Sequence, residues 1–448
     1  MLAKNSHLLG VTIDQIRGSL DSEEMKDVVV GLMFYRYVSE QQLDGLEIPN
    51  DNKFVEMEKS AAKGAFSTET LIKTLKKIQK GFHKGYEDIF NDINDTLDNL
   101  VSRASLTDAV VAKVVEAIAA LDGVDVETVD DYLETQSVSV GRFAGEHYTP
   151  QSIRNVLSGV ASTFEYSDLM DPTLGTASTM IAAGRPGITY MGQEINQKTA
   201  RLAKMNMIMH GIELDKVAVE VGDSLSNDKF ASVKSDMIVS VPPLSLMWNS
   251  QSLEDDPRFS FGMPPRSKAD FAFLQHNLYH LSPEGHALTV VADGVLFRLG
   301  KEGKIREAIV EGGYVSAVIS LPERLLLNTT IPVSIIVFSK TPVDDVLFID
   351  ASREFVKERL YNTLTEEQVQ RIVDVFKKRI STPKYSQVVE LDGIRSNDYN
   401  LNVSRYVDTF ESAEAVDLAA LNARLVQLEK TESEASDAFE AAKAKLTR

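Results

Sequence analysis

Up to about residue 135 the apolar positions recur at the spacing of helix turns. MKDVVVGLMFYRYVSE and TLIKTLKKIQKGF place them along one face, and no alternation of strand-like and helix-like runs interrupts the pattern. The rhythm changes at about 141. IRNVLSGVAST keeps helix spacing through Ile153, Val156, Leu157 and Val160, and short, mostly apolar runs follow: YSDLMDP, ITYMGQE, VAVEVGDSL, DMIVSVPP, HALTVVADGVLF, VSAVISLP and VSIIVFSK. Helical or loop stretches separate them, which predicts a doubly wound α/β domain with a mostly parallel sheet. Ligands normally bind where the strands of such a sheet end.

Beyond about 345 lies a mixed segment, FIDASREFVKERLYNTLTEEQVQRIVDVFKKR, whose TEEQ run offers a helix start after Thr365. Near the end, Leu418, Leu421, Leu425 and Leu428 stand at spacings of three, four and three, with Ala435, Phe439 and Ala442 near the same stripe. That heptad seam predicts a long C-terminal helix covered by another helix. A helix folded back on its own domain would satisfy the same pattern. The expected divisions are a helical N-terminal domain (1–140), the α/β domain (141–345), a mixed extension (346–410) and a coiled-coil-type partner-binding helix (411–448).

Composition narrows the function classes. With 43% apolar and 25% charged residues in a chain of 448, a soluble globular protein is expected, not a disordered one. There is no cysteine, so disulfides and thiolate metal sites are excluded, and the seven histidines show no metal-ligand spacing. No metal is expected. The N-terminal MLAKNSHLLGVTIDQIRG lacks the apolar core of a signal peptide, and no run approaches the roughly 20 apolar residues of a membrane span. A cytoplasmic location without membrane contact is therefore expected. A net charge of −19 opposes approach to nucleic acid, so a partner would supply much of any grip on DNA.

Candidate chemistry gathers at the predicted strand ends. Asp171 opens DPTLGTAS, a turn in which Gly175 lets the backbone pass close to a ligand. Glu194 ends the next strand, where an acid can bind both hydroxyls of a ribose. Asp223 in VGDSL ends the third and can accept from an adenine amino group. Each acid alone is more readily a helix cap or turn former; together they outline a nucleoside site. A nicotinamide dehydrogenase would want G-x-G-x-x-G after its first strand, which DPTLGTAS does not supply. The fourth strand instead ends in Pro242-Pro243, two residues without an N–H that hold the chain rigid.

Taken together these stretches resemble the modification subunit of type I restriction-modification systems, an S-adenosylmethionine-dependent DNA methyltransferase acting on adenine N6. IRGSLDSEEMKDVVVGLMFYRYVSE resembles the helical N-terminal domain of that family, and GEHYTPQSIRNVL the start of its Rossmann-like class I methyltransferase domain. DPTLGTAS, GQEIN and VGDSL match its cofactor loops. RSKADFAFLQHNLYHLSPEGHALTVVADGVLFRLGKEGKIREAIVEGGYVSAVISLP and LDGIRSNDYNLNVSRYVDTF run close to the family pattern. The resemblance implies S-adenosylmethionine as cofactor, lined by Tyr148, Thr149, Pro150, Asp171, Gly175, Thr176, Glu194, Asp223 and Ser240. It implies a complex with a specificity subunit that reads double-stranded DNA, a second modification subunit and a restriction subunit, with the C-terminal helix packing on the specificity subunit.

The same resemblance exposes departures. The family's strand-end motif reads N-P-P-Y or N-P-P-F: the Asn oxygen and a proline carbonyl accept from the exocyclic amine of a flipped adenine, and the aromatic ring stacks on the base. Here it reads Val241-Pro242-Pro243-Leu244. Valine offers no acceptor and leucine no π face. Ala177 replaces the second glycine of the cofactor turn, which would weaken cofactor binding. His147 replaces an aromatic, and Leu327 and Asn328 stand where an aromatic or apolar residue and glycine are usual. The expectation is a modification subunit with impaired or absent catalysis; the alternative is an active adenine-N6 methyltransferase with a variant motif.

Overall fold

A capping box starts the first well-defined helix: Asp21 accepts from the N–H groups of Glu23 and Glu24, and Glu24 reaches back to the N–H of Asp21. The computed structural model describes residues 20–446 except 42, 44, 104–106, 125, 140–147, 252, 327–328, 360 and 410–417. It falls into two units, one ending at Asp408 and the other beginning at Thr409.

The helical start is as expected. It comprises α1 (Ser22–Glu40), α2 (Phe54–Ala62), α3 (Thr68–Gln79), α4 (Asn91–Arg103), α5 (Thr107–Ala119) and α6 (Val126–Ser139). From Val28 to Tyr35 α1 is buried on all sides, which makes it the central helix of this part. Gly31 permits that closeness, since a Cβ there would lie 2.7 Å from Ile93 on α4.

Each of the seven apolar runs forms a strand. They are β1 (Asp168–Asp171), β2 (Thr189–Glu194), β3 (Val217–Val221), β4 (Ser235–Ser240), β5 (Leu281–Ala292), β6 (Val315–Ser320) and β7 (Val333–Ser339); β8 (Asp345–Asp350) and β9 (Ser386–Glu390) extend the sheet. The order is β3-β2-β1-β4-β5-β7-β6-β8-β9. Pairings among β3, β2, β1, β4 and β5 are all parallel, as is β6 with β8, whereas β7 runs antiparallel between β5 and β6 and β9 antiparallel to β8. The mostly parallel, doubly wound sheet is the one expected.

Alternation along the strands builds a core on each face. Leu169, Met237, Val239 and Leu288 join α7 (Gln151–Ala161), α8 (Ser178–Ala183), α9 (Gln197–Met209) and α12 (Glu366–Lys378). Met170, Ile238, Ala287 and Val291 join α10 (Asp270–His280), α11 (Lys301–Glu311) and α13 (Leu391–Arg395). α12 begins where TEEQ places it, with Thr365 and Gln368 forming a reciprocal capping box.

The helical part shares its core with the α/β part. Met205, Ile208 and Met209 of α9 pack into the cluster built around α1. Arg201, also on α9, donates to Asp92 at 2.8 Å and Asp88 at 3.1 Å. The second unit holds the expected long helix, α14 (Leu418–Leu446), with Leu418, Leu421, Leu425, Leu428 and Phe439 all exposed. Among the described residues no helix is long and apolar enough to cross a membrane.

Candidate functional site

Four neighbouring strands, β3, β2, β1 and β4, deliver their C-terminal ends to one edge of the sheet, and the expected acids lie there. Asp171 ends β1 fully buried. Its Oδ1 accepts from the N–H of Thr173 at 2.9 Å and from the Thr173 hydroxyl at 3.1 Å. Burial nevertheless pushes its carboxyl up to about 7, with the charge of Glu194 adding to the effect.

Glu194, at the end of β2, binds both its own loop and the β1 loop. Its Oε2 accepts from the N–H of Gly175 at 2.9 Å and its Oε1 from the N–H of Asn196 at 2.9 Å. Each oxygen keeps a second lone pair for a ligand. Gly175 has φ 54°, a left-handed conformation that glycine adopts freely. Ala177, two residues on, has φ 65° while fully buried, so this alanine holds a glycine-like conformation at a cost of about 1–2 kcal/mol.

Asp223 follows β3 half-exposed. Its carboxylate accepts from the N–H of Leu225 at 2.9 Å and from the Ser226 hydroxyl at 2.7 Å. Backbone bonds from Leu174 to the Gln193 carbonyl and from Gly222 to the Glu194 carbonyl, both 3.0 Å, stitch the three loops together. Asp171, Gly175, Thr176, Glu194 and Asp223 are thus brought together.

Two further features favour a nucleoside here. Ile195 leaves an apolar side chain 67% exposed directly after the ribose-type acid. Thr176 Oγ1 is buried without a hydrogen-bond partner among the described residues. Two acids for hydroxyls and an amine, an apolar wall and an unpaired hydroxyl fit the adenosine end of S-adenosylmethionine. Sequence reasoning missed Ile195, although its signal, an apolar residue directly after Glu194, was legible.

Tyr148, Thr149 and Pro150 stand at the start of α7. The Tyr148 hydroxyl accepts from Arg154 at 2.7 Å and donates to the Asp130 carbonyl at 3.3 Å, bracing α7 against α6. Its burial pushes the phenol well above its ordinary range. Thr149 accepts from Thr179 of α8 at 3.0 Å, and Pro150 is the N-cap of α7. His147, Leu327 and Asn328 lie outside the described residues.

At the end of β4, Ser240 is fully buried with its hydroxyl 3.0 Å from that of Thr173. Val241 and Leu244 are half-buried and pack against the apolar core on the α7 face of the sheet. The chain then makes a long excursion, 245–269. It begins with Ser245 donating to Asp270 at 3.2 Å, and closes through Ala269 N–H to the Leu246 carbonyl at 2.8 Å. Arg258 lies buried within it.

Beside Arg258 stands a group that sequence reasoning missed: Asp228, His276 and His280, whose ligand-type atoms lie within 4.8 Å of one another. The two histidines are four residues apart on α10. Arg258 Nη1 lies 3.1 Å from His276 Nδ1, and His280 bonds the Val233 carbonyl and Asp228, each at 2.9 Å. A guanidinium only donates, so His276 Nδ1 accepts, and a neutral imidazole then carries its proton on Nε2. No lone pair remains there for a cation, and burial holds His276 well below the usual imidazole range. The arrangement is that of a hydrogen-bonded cluster.

Residues 131–415, more than half of the chain, match the family model described as N-6 DNA Methylase. The chain belongs to the N-6 DNA methylase family. This N-6 DNA methylase is 28% identical to the type I restriction enzyme MpnII methylase subunit of Mycoplasma pneumoniae, across 91% of this chain and 90% of that one. It is 32% identical to the MjaVIII methylase subunit of Methanocaldococcus jannaschii, across 88% of this chain and 68% of that one. Among solved structures, the methyltransferase subunit of a type I restriction-modification system from Streptococcus thermophilus superposes with a TM-score of 0.84. That likeness has 30% identity and covers 92% of this chain and 100% of that chain. The N-6 DNA methylases are S-adenosylmethionine-dependent methyltransferases of class I fold, so the expected family, fold and cofactor stand.

Proposed function

We propose that this N-6 DNA methylase is a modification-subunit component of a type I restriction-modification complex in which methyl transfer is impaired or absent. The observation that carries this reading is the end of β4, where Val241 and Leu244 stand half-buried and pack against the apolar core. Asp171, Gly175, Thr176, Glu194 and Asp223 would hold S-adenosylmethionine, which supplies the methyl group. Tyr148, Thr149, Pro150 and Ser240 support that site through α7, α8 and the Thr173 hydroxyl.

For an adenine amine to present its nitrogen, acceptors must hold its two hydrogens. A proline carbonyl remains for one, but Val241 offers nothing for the other. Ser240 does not replace it, because its hydroxyl is fully buried and turned towards Thr173, without a surface for an incoming base. Loss of one preorganised contact costs on the order of a hundredfold in rate. The missing ring at Leu244 removes a further ~1–3 kcal/mol of base stacking. An active methyltransferase with a variant motif is the second reading, favoured by the assembled cofactor residues, since positioning alone supplies part of a barrier.

The partners in this reading are a specificity subunit, a second modification subunit, a restriction subunit, and double-stranded DNA held through the complex. The charge of −19 and the exposed leucine seam of α14 both support borrowed DNA contacts. The location is cytoplasmic, and residues 1–140, 141–345, 346–410 and 411–448 serve as bundle, methyltransferase fold, extension and docking helix. The test is label transfer from S-adenosylmethionine to DNA by the purified chain with its cognate specificity subunit. Background-level transfer is expected; transfer at the rate of an N-P-P-F relative supports the active reading instead.

A further inference from the structure

We infer that Arg258 is a positioning residue for the cofactor: it fixes the carboxylate of Asp223 and ties the adenine side of the cofactor pocket to the loop that leaves Pro242-Pro243. This deepens the proposed cofactor site and rests on that reading. Arg258 is 6% exposed and stands in a short 3₁₀ turn, Pro257–Phe259, in the middle of the 245–269 excursion.

Its guanidinium is held from one side and used on the other. Asp256 accepts from Nε at 3.0 Å and from Nη2 at 2.6 Å, while Asp228 lies 3.6 Å from Nη1. Two more donors go to consecutive carbonyls of the β3 loop, Nη1 to Ser224 and Nη2 to Leu225, each at 2.7 Å, and the other Nη1 hydrogen meets His276 Nδ1 at 3.1 Å. The first contact matters most. The Ser224 carbonyl and the Leu225 N–H belong to one planar peptide unit, so fixing one fixes the other. That N–H is the donor that holds Asp223 Oδ1 at 2.9 Å.

A single rigid plane therefore connects Arg258 to the acid expected to accept from the adenine amine. The second plane, Leu225 to Ser226, is held by the same guanidinium, and Ser226 donates its hydroxyl to Asp223 Oδ2 at 2.7 Å. Oδ1 of Asp223 is thus oriented through a peptide that Arg258 grips, and Oδ2 is held by the side chain of Ser226, the residue that the second gripped plane leads into. Because Arg258 belongs to the loop after the Pro-Pro strand end, any movement of that loop reaches Asp223.

A lysine keeps the charge but cannot hold two carbonyls and Asp256 together. The experiment is calorimetry of the full chain with S-adenosylhomocysteine and with its deaminated analogue S-inosylhomocysteine, in the native protein, Arg258→Lys and Arg258→Met, each checked for cooperative unfolding. If Arg258→Met does not fold, Arg258→Lys carries the test. The native chain should prefer the adenine compound by roughly tenfold or more, since the inosine oxygen would face an acceptor. Arg258→Lys should weaken S-adenosylhomocysteine binding and bring the preference towards unity, an effect that mere loosening of the fold would not produce. An unchanged preference in a folded variant overturns the inference alone. No binding of either compound by the native chain overturns the cofactor reading and the inference with it.

Discussion

Valine at 241 stands half-buried where the family resemblance places an asparagine, and its side chain packs against the apolar core. The neighbouring acid shows a different residue-scale effect. Asp171 in the folded chain titrates at about 7, against an ordinary value of 3.8, because burial outweighs its two bonds from Thr173. Below both values the carboxyl is protonated in folded and unfolded chains and costs nothing. Between about pH 4 and 7 the unfolded chain ionises while the folded one keeps its proton, so stability falls; above about 7 the loss is constant. Asp171→Asn keeps an acceptor for both Thr173 bonds and removes that loss. The melting temperature of the variant minus that of the native chain should rise from pH 4 to 7 and then level off, and a flat difference across that range would contradict the burial argument. The acids at 171, 194 and 223 were legible because strand ends and cofactor loops announce themselves locally. Arg258 was not, since the carbonyls it holds lie 34 and 33 residues away in sequence and only the fold brings them together.

At the scale of elements, capping chemistry was as readable as apolar rhythm. Thr365 starts α12 through a reciprocal pair with Gln368, and α12 covers the sheet with Val369, Ile372 and Phe376. Thr365→Ala should lower stability by about 1 kcal/mol, read as a shift in the urea midpoint at unchanged slope. No shift would mean that packing alone holds the helix end. The strands were legible as apolar runs, but their directions were not. VSIIVFS is buried at every position of β7, so it carries no sign of which way it runs or that it inserts between β5 and β6. The β9 strand, SQVVE, is short and largely half-exposed at the edge of the sheet, too weak a pattern to stand out. Ala177 sits between the two scales: the sequence flagged a glycine replaced in the cofactor turn, and the structure adds that this alanine is left-handed.

For the whole molecule, an acidic chain whose terminal helix exposes leucines at heptad spacing is built to work in company. Deletion of residues 414 to 448 should abolish copurification with the specificity subunit and leave unfolding of the remainder unchanged, because the unit ending at Asp408 has its own cores. Unchanged copurification would reject a docking role for the seam. The division of labour in such a complex is compatible with the proposed loss of methyl transfer, since a subunit can hold cofactor loops and partners in place without transferring a methyl group. The most direct measurement is the rate of label transfer from S-adenosylmethionine to DNA, with the specificity subunit present, for the native chain and for the Val241→Asn, Leu244→Tyr double variant. If the end of β4 is the lesion, the variant should gain on the order of a hundredfold or more. Equal, substantial transfer by both would contradict the account.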